Sequence, residues 1–73
     1  MAVYSVGDFT TVDGRAVLEG TGASAMIFPS IDGDALVVFG KRGTETFGGY
    51  ARTMPEAKQA VVDWLNEGGS DAN

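Results

Sequence analysis

The sequence contains neither cysteine nor histidine. Without cysteine there is no disulfide and no thiolate nucleophile, and without histidine the commonest general base near neutral pH is missing. Most transition-metal sites use one or both of these residue types. We therefore predict a non-enzymatic protein that uses no cofactor and no metal.

Long apolar runs are also absent. No stretch approaches the roughly 20 apolar residues that span a bilayer. The N-terminal M-A-V-Y-S-V-G-D lacks the basic and apolar segments of a signal peptide. The expectation is a cytoplasmic protein that does not bind membranes.

Basic residues are few, with five Lys and Arg against ten Asp and Glu, a net charge of −5. Nucleic-acid affinity comes largely from cations that displace counterions, so direct binding to nucleic acid is disfavoured. A protein with a basic surface, such as one that handles nucleic acids, is the electrostatically favoured partner. The alternative is that the acidity only keeps a small protein soluble.

The chain has 73 residues, of which 44% are hydrophobic. A chain of this size buries only roughly 60% of its unfolded surface, and self-association is a common way to bury more. We predict one compact α+β domain over residues 1–68 and a flexible tail over residues 69–73. A homodimer is an alternative to a different protein partner.

Two segments of the chain are alike at an offset of nineteen residues, F-T-T-V-D-G-R-A-V-L from Phe9 and F-P-S-I-D-G-D-A-L-V from Phe28. Asp-Gly between strand-like runs favours a type I′ turn, which needs positive φ at both central residues. The repeat predicts two β-hairpins of one design, with Phe9 and Phe28 at the same end of the sheet. A third, incomplete copy begins at Phe47.

These turns, with T-G-A and K-R-G as further hairpin links, predict an antiparallel five-stranded meander. Gly48-Gly49 indicates a bulge in the last strand. The predicted strands are Val3–Thr11, Arg15–Gly20, Ser24–Pro29, Ala35–Lys41 and Thr44–Arg52.

One helix follows the strands. Thr53 to Glu56 read as a capping box, and Gly68-Gly69 should end the helix after about fourteen residues. Its apolar positions recur at spacings of three and four: Met54, Ala57, Val61, Trp64 and Leu65. Trp64 is expected in the core, although its area would also suit an interface. Tyr4 and Tyr50 leave the same two alternatives open.

One helix covers only one face of a sheet. Met26 to Phe28 and Leu36 to Phe39 are apolar at successive positions, so both faces of those strands carry apolar side chains. Strong curling of the sheet, dimerisation or a partner protein could cover the second face.

Candidate binding residues are acidic. Glu56, Asp63 and Glu67 form a stripe on the helix that Lys58 does not neutralise, which is either a docking edge or an ordinary solvated face. Asp32 and Asp34 could add to a docking surface, but they are too few for a calcium loop and suit a turn.

Two glycine-bounded segments, from Gly20 and from Gly40, do not fit phosphate-binding loops because no helix or P-loop spacing follows. Both segments are expected to be hairpin connections. The basic pair Lys41-Arg42 would then stand at a solvated hairpin tip, from which it could also touch an acidic partner.

The step from the last strand into T-M-P-E-A-K-Q-A-V is similar to that of HicB-like antitoxins and of many small phage proteins. In size and charge the chain resembles small acidic inhibitors encoded by phages and mobile elements, anti-CRISPR proteins among them. No functional residue carries over. The leading hypothesis is an acidic protein-binding inhibitor of a nucleic-acid-handling protein; the alternative is an antitoxin-like module that dimerises through its uncovered sheet face.

Overall fold

The computed structural model describes residues 4–70, with side chains as far as Glu67. It shows one open antiparallel sheet of five strands, followed by a helix that packs on one face, so the predicted α+β fold is confirmed. The elements are a 3₁₀ turn at Val6–Asp8, strands β1 Thr10–Val12, β2 Arg15–Gly20, β3 Ala23–Pro29, β4 Leu36–Arg42 and β5 Glu45–Ala51, and helix α1 Met54–Ser70.

The first Asp-Gly turn is as predicted. Asp13 and Gly14 have φ of 52° and 78°, and Val12 pairs with Arg15 across them. Both positive φ values are what a type I′ turn requires, and they match the twist of the flanking strands. The links after Gly20 and Arg42 are two-residue hairpins as well, since Gly20 pairs with Ala23 and Arg42 with Glu45.

The second Asp-Gly pair does not form a tight turn, so the prediction of two identical hairpins is wrong. Pro29 pairs with Leu36, and a six-residue loop, 30–35, joins them. Ser30 closes this loop: its N–H donates to the Ala35 carbonyl at 2.8 Å, and its carbonyl accepts from Gly33 at 3.0 Å. Gly33 has φ of 76°, whereas Asp32 keeps an ordinary negative value.

The two phenylalanines of the repeat lie on opposite faces, which also contradicts the repeat in space. Phe9 packs against the buried core, with the Lys58 Nζ of the helix 5.7 Å from its ring centroid. Phe28 follows the buried Ile27 and therefore points to the face without the helix.

The predicted first strand, Val3–Thr11, is wrong over most of its length. Val3 lies outside the described residues, and only Thr10 and Thr11 of this range belong to β1. The Ser5 N–H donates to Asp8 Oδ2 at 2.9 Å and the Asp8 N–H to the Ser5 carbonyl at 3.0 Å. These local bonds give the backbone an alternative to strand pairing.

Strand β5 has no bulge at Gly48-Gly49, in contrast to the prediction. Phe39 pairs with Gly48 and Val38 with Gly49, without interruption. The two glycines stand in an ordinary extended strand.

Helix α1 begins where the capping box predicts. The Thr53 hydroxyl accepts from the Glu56 N–H at 3.4 Å and donates to Glu56 Oε1 at 3.3 Å. The helix runs through Gly68 and Gly69 to Ser70, so the predicted end at these glycines is wrong. The rest of the predicted tail, residues 71–73, lies outside the described residues.

The core lies between α1 and the sheet. Its buried side chains come from the central strands and from one side of the helix: Ala16, Leu18, Ala25, Ile27, Val38, Ala57, Val61, Val62 and Leu65. Gly40 lets the helix approach, because a Cβ there would stand 2.7 Å from Val61 Cγ2 and 3.2 Å from Trp64 Cζ3. Trp64 packs against this core as predicted.

Candidate functional site: the open face of the sheet

The face of the sheet away from α1 carries two rows of side chains that run across the strands. Cross-strand partners share a face, so the register defines each row. The first row is Thr10, Val17, Met26, Phe39 and Gly48. The second joins Phe28, Val37 and Tyr50, and continues toward Arg15 and Val12. We call this surface the open face.

Large apolar side chains are exposed on the open face. Tyr50 is 77% exposed, Val12 52% and Phe39 46%, while Val17, Met26, Phe28 and Val37 are half-buried among them. The expectation that both faces are apolar is therefore confirmed for β3 and β4. In the described part of the chain, nothing packs on this face as α1 packs on the other.

The loop between β3 and β4 borders a concavity of about 520 Å³ at one end of the open face. Phe28, Val37 and Tyr50 form its apolar wall, and Asp32 and Asp34 stand on its other side. Both carboxylates are exposed. Ile31, in the same loop, is fully exposed as well.

The structure thus places two predicted binding residues, Asp32 and Asp34, beside the exposed Tyr50 ring and the half-buried Phe28 ring. Within residues 4–67, neither carboxylate makes an ion pair or a hydrogen bond. An aromatic wall next to unpaired carboxylates suits a surface with an apolar centre and a basic margin.

The other three predicted binding residues lie elsewhere. Glu56, Asp63 and Glu67 are exposed on α1, on the opposite side of the sheet from the open face. Glu56 is held by Thr53, and Asp63 accepts from Gln59 Nε2 at 2.8 Å. The five acidic residues therefore form two separate groups and not one surface.

Arg42 is not at a solvated hairpin tip, which corrects one expectation. Its guanidinium stacks 4.3 Å from the Trp64 ring centroid, donates to the Trp64 carbonyl, and pairs with Glu45 at 2.6 Å. Lys41, next to it, is exposed. Arg42 therefore fastens α1 to the sheet and is not available to a partner.

Sequence reasoning missed Ile31 and left Tyr50 ambiguous. The signal for Ile31 was a large apolar residue inside a loop rich in Ser, Asp and Gly. The signal for Tyr50 was its register opposite Val37, one residue from the buried Val38. The signal for Tyr50 becomes readable only when the strand pairing is known.

Among residues 4–70, no group of three or more Asp and Glu residues could hold a metal ion. Within the same range, no helix has the length and apolar character that crossing a bilayer requires.

Comparison with known proteins gives no relative: no protein family, no curated protein and no solved structure matches the chain.

Proposed function

We propose that this protein is a non-enzymatic protein-binding module that inhibits a nucleic-acid-handling protein by covering part of its surface. The open face is the binding surface, and Asp32 and Asp34 contact basic residues at its margin. The observation that supports this most directly is the exposed aromatic patch centred on Phe39 and Tyr50.

The patch is more than scattered surface hydrophobicity. Isolated exposed apolar residues are ordinary, but a contiguous patch of several hundred Å² marks an interaction surface. Here the exposed Val12, Phe39 and Tyr50 surround four half-buried apolar side chains on one face. Tyrosine is enriched among residues that dominate binding energy, because its ring buries a large area with few rotatable bonds.

Charge favours a basic partner. The chain carries −5 overall, and the loop adds two unpaired carboxylates at the edge of the patch. Such a rim steers encounter with a positively charged surface and raises the association rate at low salt. Proteins that handle nucleic acids present such surfaces, since they bind phosphates through Lys and Arg. Occupying that surface would exclude the nucleic acid.

The test is affinity capture from the source cells with matched bait variants. Phe39→Glu places a charge in the centre of the open face on an exposed side chain, and Asp32→Asn with Asp34→Asn removes the rim charge without changing its shape. The matched control, Glu56→Gln with Asp63→Asn and Glu67→Gln, removes the charge on the helix. Circular dichroism verifies that each variant is folded.

We expect wild type and the control variant without the helix charges to retain one protein that Phe39→Glu loses. With that protein purified, raising the salt concentration should weaken binding of wild type more than binding of the Asp32→Asn, Asp34→Asn variant. Wild-type bait should also displace nucleic acid from it.

Equal retention by Phe39→Glu would contradict the proposal, and loss with the helix variant alone would move the interface to Glu56, Asp63 and Glu67. A third result, a stable wild-type oligomer that Phe39→Glu dissociates and no retained protein, would establish self-association through the open face instead.

A further inference from the structure

The outer edge of β5 is a second candidate surface, distinct from the open face. The strand order puts β1 and β5 at the two edges of the sheet. Strand β1 has three residues, whereas β5 has seven. Among residues 4–70, no strand pairs with the outer side of β5. Its outward backbone groups are therefore without strand partners.

Edge strands in natural proteins usually carry devices that prevent pairing with another chain, such as a proline, a bulge or a charged side chain. Strand β5 carries none of these between Thr46 and Ala51: the segment T-F-G-G-Y-A has no proline and no charge, and its register with β4 is unbroken. The other edge is protected by its shortness alone.

The hairpin before β5 defines which backbone groups point outward. In a two-residue hairpin, the residues that flank the turn form a hydrogen-bonded pair, and such pairs then alternate with non-hydrogen-bonded ones. Arg42 and Glu45 flank this turn. Counting from Glu45, the N–H and C=O groups of Thr46, Gly48 and Tyr50 point away from β4.

We propose that β5 pairs antiparallel with β5 of a second copy of this chain, centred on Gly48, so that one sheet continues across both copies. In an antiparallel pair, opposed residues share a face. With Gly48 opposite itself, Thr46 lies opposite Tyr50 of the second copy. Each of the three outward-pointing residues then donates and accepts one backbone hydrogen bond.

The side chains of β5 fit this register. Phe47 lies opposite Gly49 of the second copy, so each large ring meets a residue without a side chain, and an aromatic ring across a strand glycine is a stabilising pair. Tyr50 lies opposite Thr46, an aromatic with a β-branched partner. At the centre, no atom lies within 4 Å of a Cβ built on Gly48, so the open face above this residue is unobstructed.

A second copy suits this edge better than an unrelated peptide because the segment is complementary to itself when reversed. Pairing also increases the buried area of a small domain. The continuous sheet would carry the two open faces side by side. The pairing itself does not depend on what the open faces bind.

Single-cysteine crosslinking tests the pairing, since the natural chain has no cysteine. The Cα atoms of a hydrogen-bonded pair are about 5.5 Å apart, within the range of a disulfide. We expect Gly48→Cys to form a covalent dimer on mild oxidation. Thr46→Cys should crosslink with Tyr50→Cys when the two are mixed, and neither should crosslink efficiently alone. Ser24→Cys, on the central strand β3, is the control.

Sedimentation velocity from low micromolar to about one millimolar protein tests the uncrosslinked chain. Wild type and Gly48→Ala should dimerise, whereas Gly48→Pro, which removes an outward donor and leaves the bonds to β4, should stay monomeric. Circular dichroism confirms folding of each variant. Monomeric wild type at the highest concentration, self-crosslinking of Thr46→Cys, or equal crosslinking of Ser24→Cys would overturn the proposal. So would a dimer that Gly48→Pro leaves intact.

Discussion

At the scale of single residues, two glycines on neighbouring strands have different roles. Gly40 lies under the helix, where an added methyl group would meet Val61 at 2.7 Å. Gly48 lies on the open face, where the same group would meet nothing within 4 Å. The same residue type thus allows helix packing at one position and lies on an unobstructed face at the other.

We predict that Gly40→Ala lowers the free energy of unfolding by about 1–3 kcal/mol, because overpacking a core forces neighbouring side chains out of position. Gly48→Ala is the matched control and should be neutral or stabilising by up to about 1 kcal/mol, because it removes glycine entropy from a strand. Urea unfolding followed by circular dichroism measures both. Equal losses for the two would contradict the helix-approach role of Gly40.

The two Asp-Gly pairs also predict different substitution effects. Asp13 has φ of 52°, and Asp32 has an ordinary negative φ. Alanine tolerates positive φ poorly, so Asp13→Ala should cost about 1 kcal/mol of unfolding free energy, and Asp32→Ala less than about 0.5 kcal/mol. Urea midpoints provide the comparison, and a larger loss for Asp32→Ala would show that the six-residue loop depends on that side chain.

Sequence alone predicted the first of these turns correctly and the second wrongly, for a physical reason. A type I′ turn is specified by its own two central residues, whereas the second loop is closed by Ser30 and Ala35, which lie outside the repeated Asp-Gly. Asp-Gly suits both arrangements. The bonds of Ser30 decide between them, and they depend on where β3 and β4 come into register.

At the scale of secondary structure elements, Arg42 joins the β4–β5 hairpin to α1. It stacks on the Trp64 ring and bonds to the Trp64 carbonyl. Its ion pair with Glu45 involves a carboxylate that is 65% exposed, so solvent screens it and it contributes little. The stacking and the carbonyl bond are therefore the main terms.

We predict that Arg42→Ala costs about 2 kcal/mol of unfolding free energy, and that Arg42→Lys recovers only part of it, because lysine lacks the planar group that stacks. Glu45→Gln should cost less than about 0.5 kcal/mol. Thermal and urea unfolding measure the series. A full rescue by lysine would show that charge alone matters at this position.

Asn66 attaches the start of the segment before β1 to the helix. Asn66 Nδ2 donates to the Tyr4 carbonyl and Asn66 Oδ1 accepts from the Tyr4 N–H, both at 2.9 Å. The Tyr4 ring lies on Gly20, where a Cβ would be 2.6 Å away. This small segment therefore contacts both α1 and the end of β2.

Asn66→Ala should release this segment, with faster hydrogen exchange of the Tyr4 amide by at least about tenfold, since an amide that loses its partner opens locally. Gln59→Ala is the control, because its one bond is to the exposed Asp63. Exchange measured by NMR separates the two. An unchanged Tyr4 amide in Asn66→Ala would mean that the ring contact with Gly20 is sufficient.

An element was predictable when the residues that specify it lie close together in the sequence. The start of α1 depends on Thr53 and Glu56, three residues apart, and was correct. The end of α1 was wrong because glycine is tolerated inside a helix, at a cost of about 1 kcal/mol. The strand expected before Thr10 was wrong because Ser5 and Asp8 bond to each other's backbone.

At the scale of the whole molecule, one face of the sheet holds the fold together and the other does not. Ile27 is fully buried under the helix, whereas Phe39, opposite the neighbouring Met26, is 46% exposed. Apolar residues on the open face therefore lie outside the core.

We predict that Phe39→Thr with Tyr50→Thr changes the unfolding free energy by less than about 1 kcal/mol, because threonine keeps strand propensity. Native-state binding of the apolar dye ANS should nevertheless fall sharply. Ile27→Thr, the buried control, should cost at least about 2 kcal/mol. A comparable loss in the double variant would show that the open face is part of the core.

The sequence predicted the chemical character of the candidate site but not its position on the fold. Consecutive apolar residues in β3 and β4 indicated an uncovered face, and Asp32 and Asp34 were named as candidates. Their juxtaposition with Tyr50 depends on the pairing of β4 with β5, which no local pattern specifies. The separation of the helix acids from the loop acids is likewise a property of the assembled fold.

The contacts of Trp64 with Arg42 and Phe47 have a spectroscopic consequence. Trp64 is the sole tryptophan of the chain, and its ring centroid lies 5.4 Å from that of Phe47 on the helix side of the sheet. Indole emission is therefore expected to report whether α1 is docked on the sheet. Tyr50, one of only two tyrosines, is the chromophore on the open face. The two sides of the sheet thus each carry a natural chromophore, so docking of α1 and occupation of the open face can be studied without an attached label.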